Sequence, residues 1–341
     1  MQIDPAHTPR RVCVFGAYGH TGRFVVAHLI ERGWEPVLAG RDPLKLAALA
    51  ERFPGLEQRV ARVDDPASLD RALNGAVAVL NCAGPFIDSA VPLVEAALRA
   101  RVHYLDTAAE QQPVIALFDR YADAAAQAGI AIIPAVAFYG GLGDLLATAA
   151  MGDWSSADEI AIAVALDSWH PTEGTRVTGR RNTARRLVVS DGSLQFLPDP
   201  APTREWTFPQ PFSAQESAEV ALSEIVLISK HLPANEVHAY LNLAPLKDLR
   251  DPDTPAPVAA DASGRSSQIF AIQAVVRKDD QVRRLCAHGR DIYAVTAPLL
   301  VEAMERVVSG RYSGAGVAAT GAAFDARDFL RALAPEHLRL E

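Results

Sequence analysis

The chain has 341 residues, of which 49% are hydrophobic and 22% are charged, and its formal net charge is −8. This is the composition of a globular protein long enough for two domains with separate cores, and its acidic balance argues against nucleic-acid binding, which uses a basic face. No run approaches the roughly 18 consecutive apolar residues of a membrane span. The first residues, MQIDPAHTPRR, contain no hydrophobic run typical of a secretory signal. We therefore expect a cytoplasmic protein with no membrane span.

The three cysteines, Cys13, Cys82 and Cys286, show no paired spacing. Two of them lie in apolar, strand-like runs, which indicates buried and reduced thiols. The sequence has no CxxC pair and no HExxH helix, so we predict no metal site.

A glycine-rich turn follows the first apolar strand, in the segment RVCVFGAYGHTG at residues 11–22. Gly16 permits a tight turn, Gly19 lets a phosphate approach the backbone, and Gly22 lets the next helix pack closely on the strand. Free amides at the start of that helix favour an anionic diphosphate. The alternative is a tight turn in a sheet that binds no cofactor. The predicted pyrophosphate site comprises Gly16, Ala17, Tyr18, Gly19, His20, Thr21 and Gly22.

Strand and helix patterns alternate through the first 135 or so residues. The predicted strands are 11–16, 35–39, 59–63, 76–82, 102–105 and 130–136, and the predicted helices are 21–32, 43–52, 66–74, 89–100 and 112–128. This order predicts an α/β fold whose N-terminal domain, residues 1–137, is a doubly wound parallel sheet of the Rossmann type. Ligands bind such sheets at the carboxyl ends of the strands.

The pattern changes near Phe138, where a glycine-rich turn leads into a helix at Leu145 to Met151. Strands are then predicted at 158–168, 186–190, 237–243, 268–277 and 281–288, and surface loops at 198–211 and 251–264. These patterns predict a second, mixed α+β domain over residues 138–291, for substrate binding and dimerisation. Helices at about 292–309 and 325–333 close the chain, and we expect the segment 292–333 to complete the first domain.

The end of the second strand, near Arg41, distinguishes NADP(H) from NAD(H). A guanidinium at this point suits a 2′-phosphate, and Lys45 adds charge one helical turn later. Asp42 has two interpretations, since it can accept a hydrogen bond from a ribose hydroxyl or cap the helix that Pro43 opens. We predict NADP(H), with Arg41 as a solvated side chain as the alternative. Asp64, after the third strand, is included in the predicted cofactor site.

Two further strand ends are predicted to face the cofactor. The fourth strand ends in the segment NCAGPF, whose glycine and proline let the backbone lie against the dinucleotide. Its predicted cofactor residues are Cys82, Ala83, Gly84 and Pro85. The fifth strand ends in HYLDTAAE, at residues 103–110, and its polar residues face the expected position of the nicotinamide. Asp106 is equally well interpreted as a cap of a helix or turn.

Together these signatures resemble the saccharopine-dehydrogenase-like oxidoreductases. The matching segments are GAYGHTGR (16–23), LAGRDPLKL (38–46), NCAGPF (81–86), HYLDTAAE (103–110), GGLGDLLA (140–147) and the late segment 291–319. The resemblance implies an NADP(H)-binding Rossmann domain followed by a mixed domain that covers the cofactor, and a homodimer. It does not fix the reaction, since members include reductases that act through an imine and others that resemble enoyl reductases.

The sequence lacks the familiar motif by which short-chain dehydrogenases supply a proton to the substrate. A short-chain dehydrogenase has Tyr-x-x-x-Lys, and none of the seven tyrosines has a lysine four positions later. Tyr139, after the sixth strand, is the first candidate for a proton donor, with a tyrosine packed between domains as the alternative. Asp106 and His170 are the next candidates, together with His103 and Glu110.

A cluster of arginines follows the strand that ends near Asp167. Arg176 and Arg180 share a helical face, as do Arg181 and Arg185, and Arg186 comes next. This cationic face is suited to a carboxylate or phosphate of the substrate, or is simply solvated.

The leading hypothesis is an NADPH-dependent oxidoreductase that reduces a C=N (imine) or activated C=C bond of a small-molecule substrate. The alternatives are a carbonyl reductase or alcohol dehydrogenase, and a non-catalytic NADP(H)-binding redox sensor. Polar strand ends and the large second domain favour an enzyme.

Overall fold

The structure is a computed structural model that describes residues 11–341, so the first ten residues of the predicted N-terminal domain lie outside the described part. Within that part the chain forms two sheets, one of seven strands and one of nine. The first is entirely parallel and has helices between its strands, and the second is mixed. The predicted fold class is confirmed.

The first sheet contains the alternating elements that the sequence predicts. They are β1 (Arg11–Phe15), α1 (His20–Glu31), β2 (Glu35–Gly40), α2 (Pro43–Arg52), β3 (Gln58–Val60), α3 (Pro66–Leu73), β4 (Ala78–Asn81), α4 (Phe86–Ala100), β5 (His103–Asp106), α5 (Gln111–Ala128) and β6 (Ala131–Ile133). The strand order is β15-β6-β5-β4-β1-β2-β3, where β15 comes from the C-terminal part of the chain. The order reverses at β1, which places the glycine-rich turn at the switch point of the sheet.

The second half begins with a turn at Phe138–Leu142, in which Tyr139 and Gly140 have non-helical backbone dihedrals and which we call the Tyr139 turn. The elements that follow are α6 (Gly143–Met151), β7 (Ala157–Leu166), α7 (Glu173–Arg181), β8 (Leu187–Ser190), β9 (Ser193–Phe196), β10 (Thr203–Thr207), β11 (Ala214–Glu219), α8 (Ser223–Ser229), β12 (Ala234–Asn242), α9 (Leu243–Arg250), β13 (Ile269–Lys278), β14 (Gln281–Arg290), α10 (Thr296–Val308), β15 (Gly316–Val317), α11 (Thr320–Ala323), α12 (Ala326–Leu333) and β16 (Arg339–Leu340).

The central strands of both sheets are apolar because other parts of the chain cover their faces. Helices cover the first sheet, and Trp206, Phe208 and Phe212 pack on one face of the second. In the first sheet Val12, Cys13 and Val14 are fully buried. In the second, β7 pairs in parallel with β12 and antiparallel with β13. One hydrophobic core runs from Val14 of the first sheet to Phe270 of the second. The two sheets therefore share buried surface.

The C-terminal segment returns to the first sheet. β15 pairs in parallel with β6, and α10 packs beside α1. Trp34 donates a hydrogen bond from Nε1 to Glu305 Oε1 at 2.8 Å, and Arg32 is paired with the same carboxylate. The last strand, β16, instead pairs with β14 of the second sheet. The division into domains at residues 137 and 291 remains a prediction.

Two local predictions are wrong. The segment 198–211, predicted to be a surface loop, contains β10, whose Trp206 side chain is buried against the second sheet. The flanking prolines indicated a loop, but burial of the indole outweighs them. The predicted helical face of Arg181 and Arg185 does not form, because α7 ends at Arg181. The loop predicted at 251–264 has no helix or strand, as expected.

Candidate functional site

A cleft of about 1830 Å³ lies at the carboxyl ends of the first sheet. The strand ends and loops of that sheet form one wall, and the segment around α7 and the Tyr139 turn forms the other. The cleft begins at the glycine-rich turn and continues to Tyr139, Trp169 and Tyr293. Twelve of the fourteen predicted cofactor residues line the cleft, and so does Tyr139. These lining residues are Gly16, Tyr18, Gly19, His20, Thr21, Arg41, Lys45, Asp64, Cys82, Ala83, Gly84, Pro85 and Tyr139.

The glycine-rich turn is too crowded for side chains at its glycines. Gly16 has a φ of +82°, and a Cβ there would lie 2.9 Å from the backbone nitrogen of Ala83. A Cβ on Gly22 would lie 2.3 Å from the Gly16 carbonyl oxygen. The turn therefore brings α1 and the β4 end against the backbone of β1. Ala17 and Gly22 are buried beneath this turn and do not line the cleft.

The start of α1 offers donors to an anion. Gly19 is the N-cap residue and has no side-chain cap, so the first amides of the helix face the cleft edge. Arg23 donates from Nη2 to His20 Nδ1 at 3.1 Å, which places the proton of a neutral imidazole on Nε2. His20 Nε2 is buried and has no partner among residues 11–341. Burial also lowers the pKa of His20, which favours the neutral ring.

The end of β2 carries the charges expected for a 2′-phosphate. Arg41 and Lys45 are exposed, and Lys45 Nζ lies 5.9 Å from the centre of the Tyr18 ring. The Asp42 side chain accepts hydrogen bonds from the Leu44 and Lys45 amides at 3.0 and 3.2 Å. The interpretation of Asp42 as a helix cap is therefore the one that the structure shows.

The β3 end adds a cation that the sequence reasoning missed. Arg62 lines the cleft next to Asp64 and forms a bidentate pair with it at 2.9 Å. Both side chains are well exposed. The sequence did contain a signal for this pair, because Arg62 and Asp64 are two residues apart just after a short strand, which places both side chains at the same strand end.

Tyr139 lies where the cleft reaches the second half of the chain. Its ring stacks on Trp169 with centroids 5.4 Å apart, and its hydroxyl is buried with no partner among the described residues. Burial raises the pKa of the Tyr139 phenol well above its usual value, and the charges of Tyr293 and Glu224 raise it further. The phenol is thus a neutral donor with a free hydrogen.

A second tyrosine fixes the opposite wall. Tyr293 accepts a hydrogen bond from Trp169 Nε1 at 2.9 Å, and its hydroxyl lies 3.0 Å from Thr175 Oγ1. Its ring meets His20 edge to face at 5.3 Å. The segment after β7 is therefore connected through Tyr293 to the glycine-rich turn.

Comparison with known proteins assigns the first sheet. Residues 12–133 match the family model of the saccharopine dehydrogenase NADP-binding domain. The resemblance inferred from the sequence is confirmed for this domain, and so is NADP(H) as its cofactor. The cleft described above has the crowded glycine turn and the cationic strand end that this cofactor needs.

The chain is similar to curated relatives over the same region. It is 30% identical over 148 residues to the saccharopine dehydrogenase-like oxidoreductase of Bos taurus, covering 38% of this chain and 34% of the relative. It is 30% identical over 142 residues to a trans-acting enoyl reductase of Mycobacterium ulcerans, covering 40% and 34%. The matched region thus spans about a third of the length of these relatives.

The likeness in fold extends further than the likeness in sequence. The apo saccharopine dehydrogenase (L-Glu forming) of Saccharomyces cerevisiae superposes with a TM-score of 0.67 at 13% identity, covering 97% of this chain and 99% of the yeast chain. At this identity the match shows that both sheets share one fold with the yeast protein. It does not transfer a reaction.

Three predicted acid-base candidates do not reach the cleft beside this NADP-binding domain. The carboxylate of Asp106 is fully buried and accepts hydrogen bonds from the amides of Ala108 and Ala135 and from the Tyr104 hydroxyl. His103 lies at the start of β5, where Nδ1 accepts from the Ala131 amide. His170 is half-buried and is not among the lining residues. Glu110 lines the cleft, but both carboxylate oxygens accept backbone amides.

Four arginines of the cluster line the cleft, namely Arg176, Arg180, Arg181 and Arg186, whereas Arg185 does not. Arg176 donates to the carbonyls of residues 251 and 254, Arg181 pairs with Asp88 at 2.8 Å, and Arg185 lies over the Phe196 ring. Arg186 lines the cleft and donates to the Ala221 carbonyl at 3.2 Å. The Arg186 side chain is exposed to solvent on the side that faces the cleft. Among residues 11–341 no carboxylate forms an ion pair with it.

Glu224 is the buried acid that sequence reasoning missed. It lies on α8 behind the Tyr139 turn and is 3% exposed. Burial raises the pKa of its carboxyl to about 7, although the backbone amides of Leu222 and Gly140 and the Arg186 charge oppose the rise. The sequence offered no signal, because α8 was not predicted as an individual element.

Other kinds of site are not found in the described part of the chain. All three cysteines are free, and burial raises the pKa of each thiol. Residues 11–341 contain no group of three or more potential metal ligands. In the same range, no helix has the length and apolar character to cross a bilayer.

Proposed function

We propose that this protein is an NADPH-dependent oxidoreductase that reduces a C=N or activated C=C bond of a small molecule. The observation that supports it is one continuous cleft from a dinucleotide turn to a buried phenol with a free hydrogen. A reductase needs these two sites next to each other, because the hydride and the proton are delivered to the same double bond. The Mycobacterium ulcerans relative, named a trans-acting enoyl reductase, supports the C=C form of the proposal.

The residues of the cofactor end have separate roles in this proposal. The first amides of α1 bind the pyrophosphate, and Arg41 and Lys45 bind the 2′-phosphate. His20 donates from Nε2 to an acceptor of the bound cofactor. The cofactor, when bound, supplies the hydride.

Tyr139 supplies the proton. Its hydroxyl donates to the atom of the double bond on which negative charge develops, which is the role of a general acid. The stacked Trp169 ring keeps the phenol in place and excludes water from one face. Arg186, which lines the cleft, binds an anionic group of the substrate.

A substrate panel with a matched pair of variants tests the function. NADPH oxidation is followed with imines, enoyl esters and ketones, each as a free acid and as a neutral ester. Tyr139→Phe removes only the hydroxyl and is expected to lower kcat about a hundredfold with the Kd for NADPH unchanged, because general acid catalysis contributes roughly 10²–10⁴-fold. Tyr121→Phe is the control, since that hydroxyl pairs with Glu95 on the outer surface of the first sheet.

Each outcome has a defined meaning. Turnover that Tyr139→Phe leaves undiminished eliminates Tyr139 as the acid. Binding of NADPH without turnover of any member supports a redox sensor instead. Turnover of ketones alone supports a carbonyl reductase or alcohol dehydrogenase.

We also propose that the protein is a cytoplasmic homodimer that pairs through its second domain, residues 138–291. Light scattering after size-exclusion chromatography measures the mass directly. A mass equal to the monomer's 36.5 kDa at micromolar concentration contradicts the dimer.

A further inference from the structure

Glu224 and Tyr139 are two buried oxygen-bearing side chains without complete hydrogen bonding, placed on adjoining elements. Glu224 Oε1 accepts the Leu222 amide at 3.1 Å, and the Gly140 amide also bonds to this carboxyl. Glu224 Oε2 and the Tyr139 hydroxyl have no partner among residues 11–341. A buried polar atom without a partner is costly and is often kept for function.

The start of α8 packs against the Tyr139 turn. The Ser223 amide donates to the Ala109 carbonyl at 3.1 Å, and its hydroxyl donates to the Ala108 carbonyl at 3.0 Å. Gly140 has a φ of +106°, and a Cβ there would lie 2.7 Å from Ser223 Oγ. The Ser223 hydroxyl also lies 3.5 Å from the Tyr139 carbonyl oxygen, so the start of α8 lies directly against the Tyr139 turn.

The charges around Glu224 are few. The positive charge of Arg186 lowers the pKa of the Glu224 carboxyl, and the charge of Glu224 raises the pKa of the Tyr139 phenol. On the other elements that pack against α8, Asp144 of α6 pairs with His231 at 2.7 Å, and Asp119 of α5 pairs with Lys230 at 3.6 Å. The groups whose charges act on the Tyr139 phenol are Tyr293, Glu224 and Arg186.

We propose that Glu224, which does not reach the cleft, is a positioning residue whose charge state controls proton donation by Tyr139. The inference rests on the proposed reductase function. With the carboxyl group neutral, the phenol loses its proton to the substrate and Arg186 stabilises the phenolate. With the carboxyl group ionised, a second negative charge faces the developing phenolate in a buried setting, and donation is opposed.

The atoms and electrons balance in this step. The substrate gains a hydride from NADPH at one end of its double bond and a proton from Tyr139 at the other. The O–H bond of Tyr139 breaks, its electron pair stays on the phenolate oxygen, and a solvent proton later restores the phenol. NADPH is oxidised to NADP⁺, and Glu224 is unchanged.

The pH dependence of kcat tests the proposal. The wild type is expected to lose activity about tenfold per pH unit above the Glu224 titration near pH 7. Glu224→Gln stays neutral, so this fall is expected to vanish. Glu219→Gln is the matched control, since Glu219 is another buried glutamate, and it is paired with His238 at 2.6 Å. It is expected to keep the wild-type profile.

An unchanged fall of activity in Glu224→Gln overturns the proposal and leaves the reductase function intact. If Glu224→Gln does not fold, Glu224→Asp is used, since it keeps an ionisable carboxyl at a greater distance. Its midpoint is expected to shift, and an identical profile overturns the proposal.

A readout without substrate separates this proposal from the reductase function. In protein with ¹³C-labelled tyrosine, the Tyr139 ring resonance is expected to shift through pH 7 in the wild type and not in Glu224→Gln. Tyr139→Phe assigns the signal. A Tyr139 resonance with the same pH dependence in the wild type and in Glu224→Gln overturns the proposal, even if no substrate is found.

Discussion

Asp42 decides how the end of β2 is to be interpreted. An acidic residue at this point commonly binds the ribose hydroxyls of NAD(H). Here its Oδ1 accepts two amides of α2, so the side chain serves the helix and Arg41 beside it remains exposed. The choice of cofactor therefore depends on which side chain the helix uses as its cap, and both arrangements were compatible with the sequence.

Arg41→Ala is expected to weaken NADPH binding roughly ten- to a hundredfold and to leave NADH binding nearly unchanged. A hydrogen bond to a charged group contributes about 1.5–3 kcal/mol, and only NADPH has the phosphate. Arg52→Ala is the control, because Arg52 is exposed at the other end of α2 and does not line the cleft. Fluorescence titration with both nucleotides gives the two Kd values. An equal loss for NADPH and NADH would show that Arg41 does not contact the 2′-phosphate.

The sequence identified single residues well where backbone geometry constrains residue type. Gly16 and Gly22 were assigned correctly to a crowded turn, because other residues would clash there. Glu224 was missed because its importance comes from the packing of α8 behind Tyr139. For Asp106 the sequence left two interpretations open, because a polar residue at a strand end can face a cleft or cap a turn, and in the structure its carboxylate accepts the amides of Ala108 and Ala135.

At the scale of elements, α7 is the least anchored part of the cleft wall. It buries none of its residues and is attached by polar contacts. Thr178 reaches the β4 end, where a Cβ on Gly84 would lie 2.9 Å from Thr178 Oγ1, and Arg181 pairs with Asp88. A short helix held in this way opens at low cost, which suits a wall that must admit a dinucleotide.

Arg181→Ala is therefore expected to raise the rate of NADPH dissociation several-fold while the thermal midpoint changes little. Exposed ion pairs contribute about 0–1 kcal/mol, so a large loss of stability is not expected. Stopped-flow fluorescence of NADPH release measures the rate. Arg185→Ala is the control, because Arg185 contacts Phe196 and does not reach the first sheet. Equal dissociation rates in wild type and Arg181→Ala would show that α7 does not control cofactor release.

Most of the alternating elements of the first sheet were predictable because they have one clear period and a glycine or proline at a boundary. β10 was not, because Trp206 is the only buried residue of that strand and its exposed neighbours follow a proline-rich stretch. The Trp206 side chain is buried because it packs against the second sheet, where its Nε1 donates to Gln273 Oε1 at 3.1 Å. Such long-range contacts leave no periodic signal in the sequence.

At the scale of the whole molecule, the chain is interlocked. It leaves the first sheet at the Tyr139 turn, returns to it with α10 and β15, and ends on the second sheet with β16. Phe138 at the point of departure donates its amide to Thr296 Oγ1 at 3.2 Å, at the start of the returning helix. Neither sheet completes its core without residues from the other half of the chain.

Thermal unfolding is accordingly expected to be one cooperative transition that NADPH shifts upward as a whole. A ligand present at a hundred times its Kd adds about 2.7 kcal/mol to the free energy of unfolding if it binds only the folded state. Because the hydrophobic core runs through both sheets, that free energy stabilises residues far from the cleft. Differential scanning calorimetry with and without NADPH measures the effect, and Arg41→Ala at the same nucleotide concentration is the control, with a smaller shift. Two separate transitions, with NADPH moving only the first, would show that the sheets unfold independently despite their shared core.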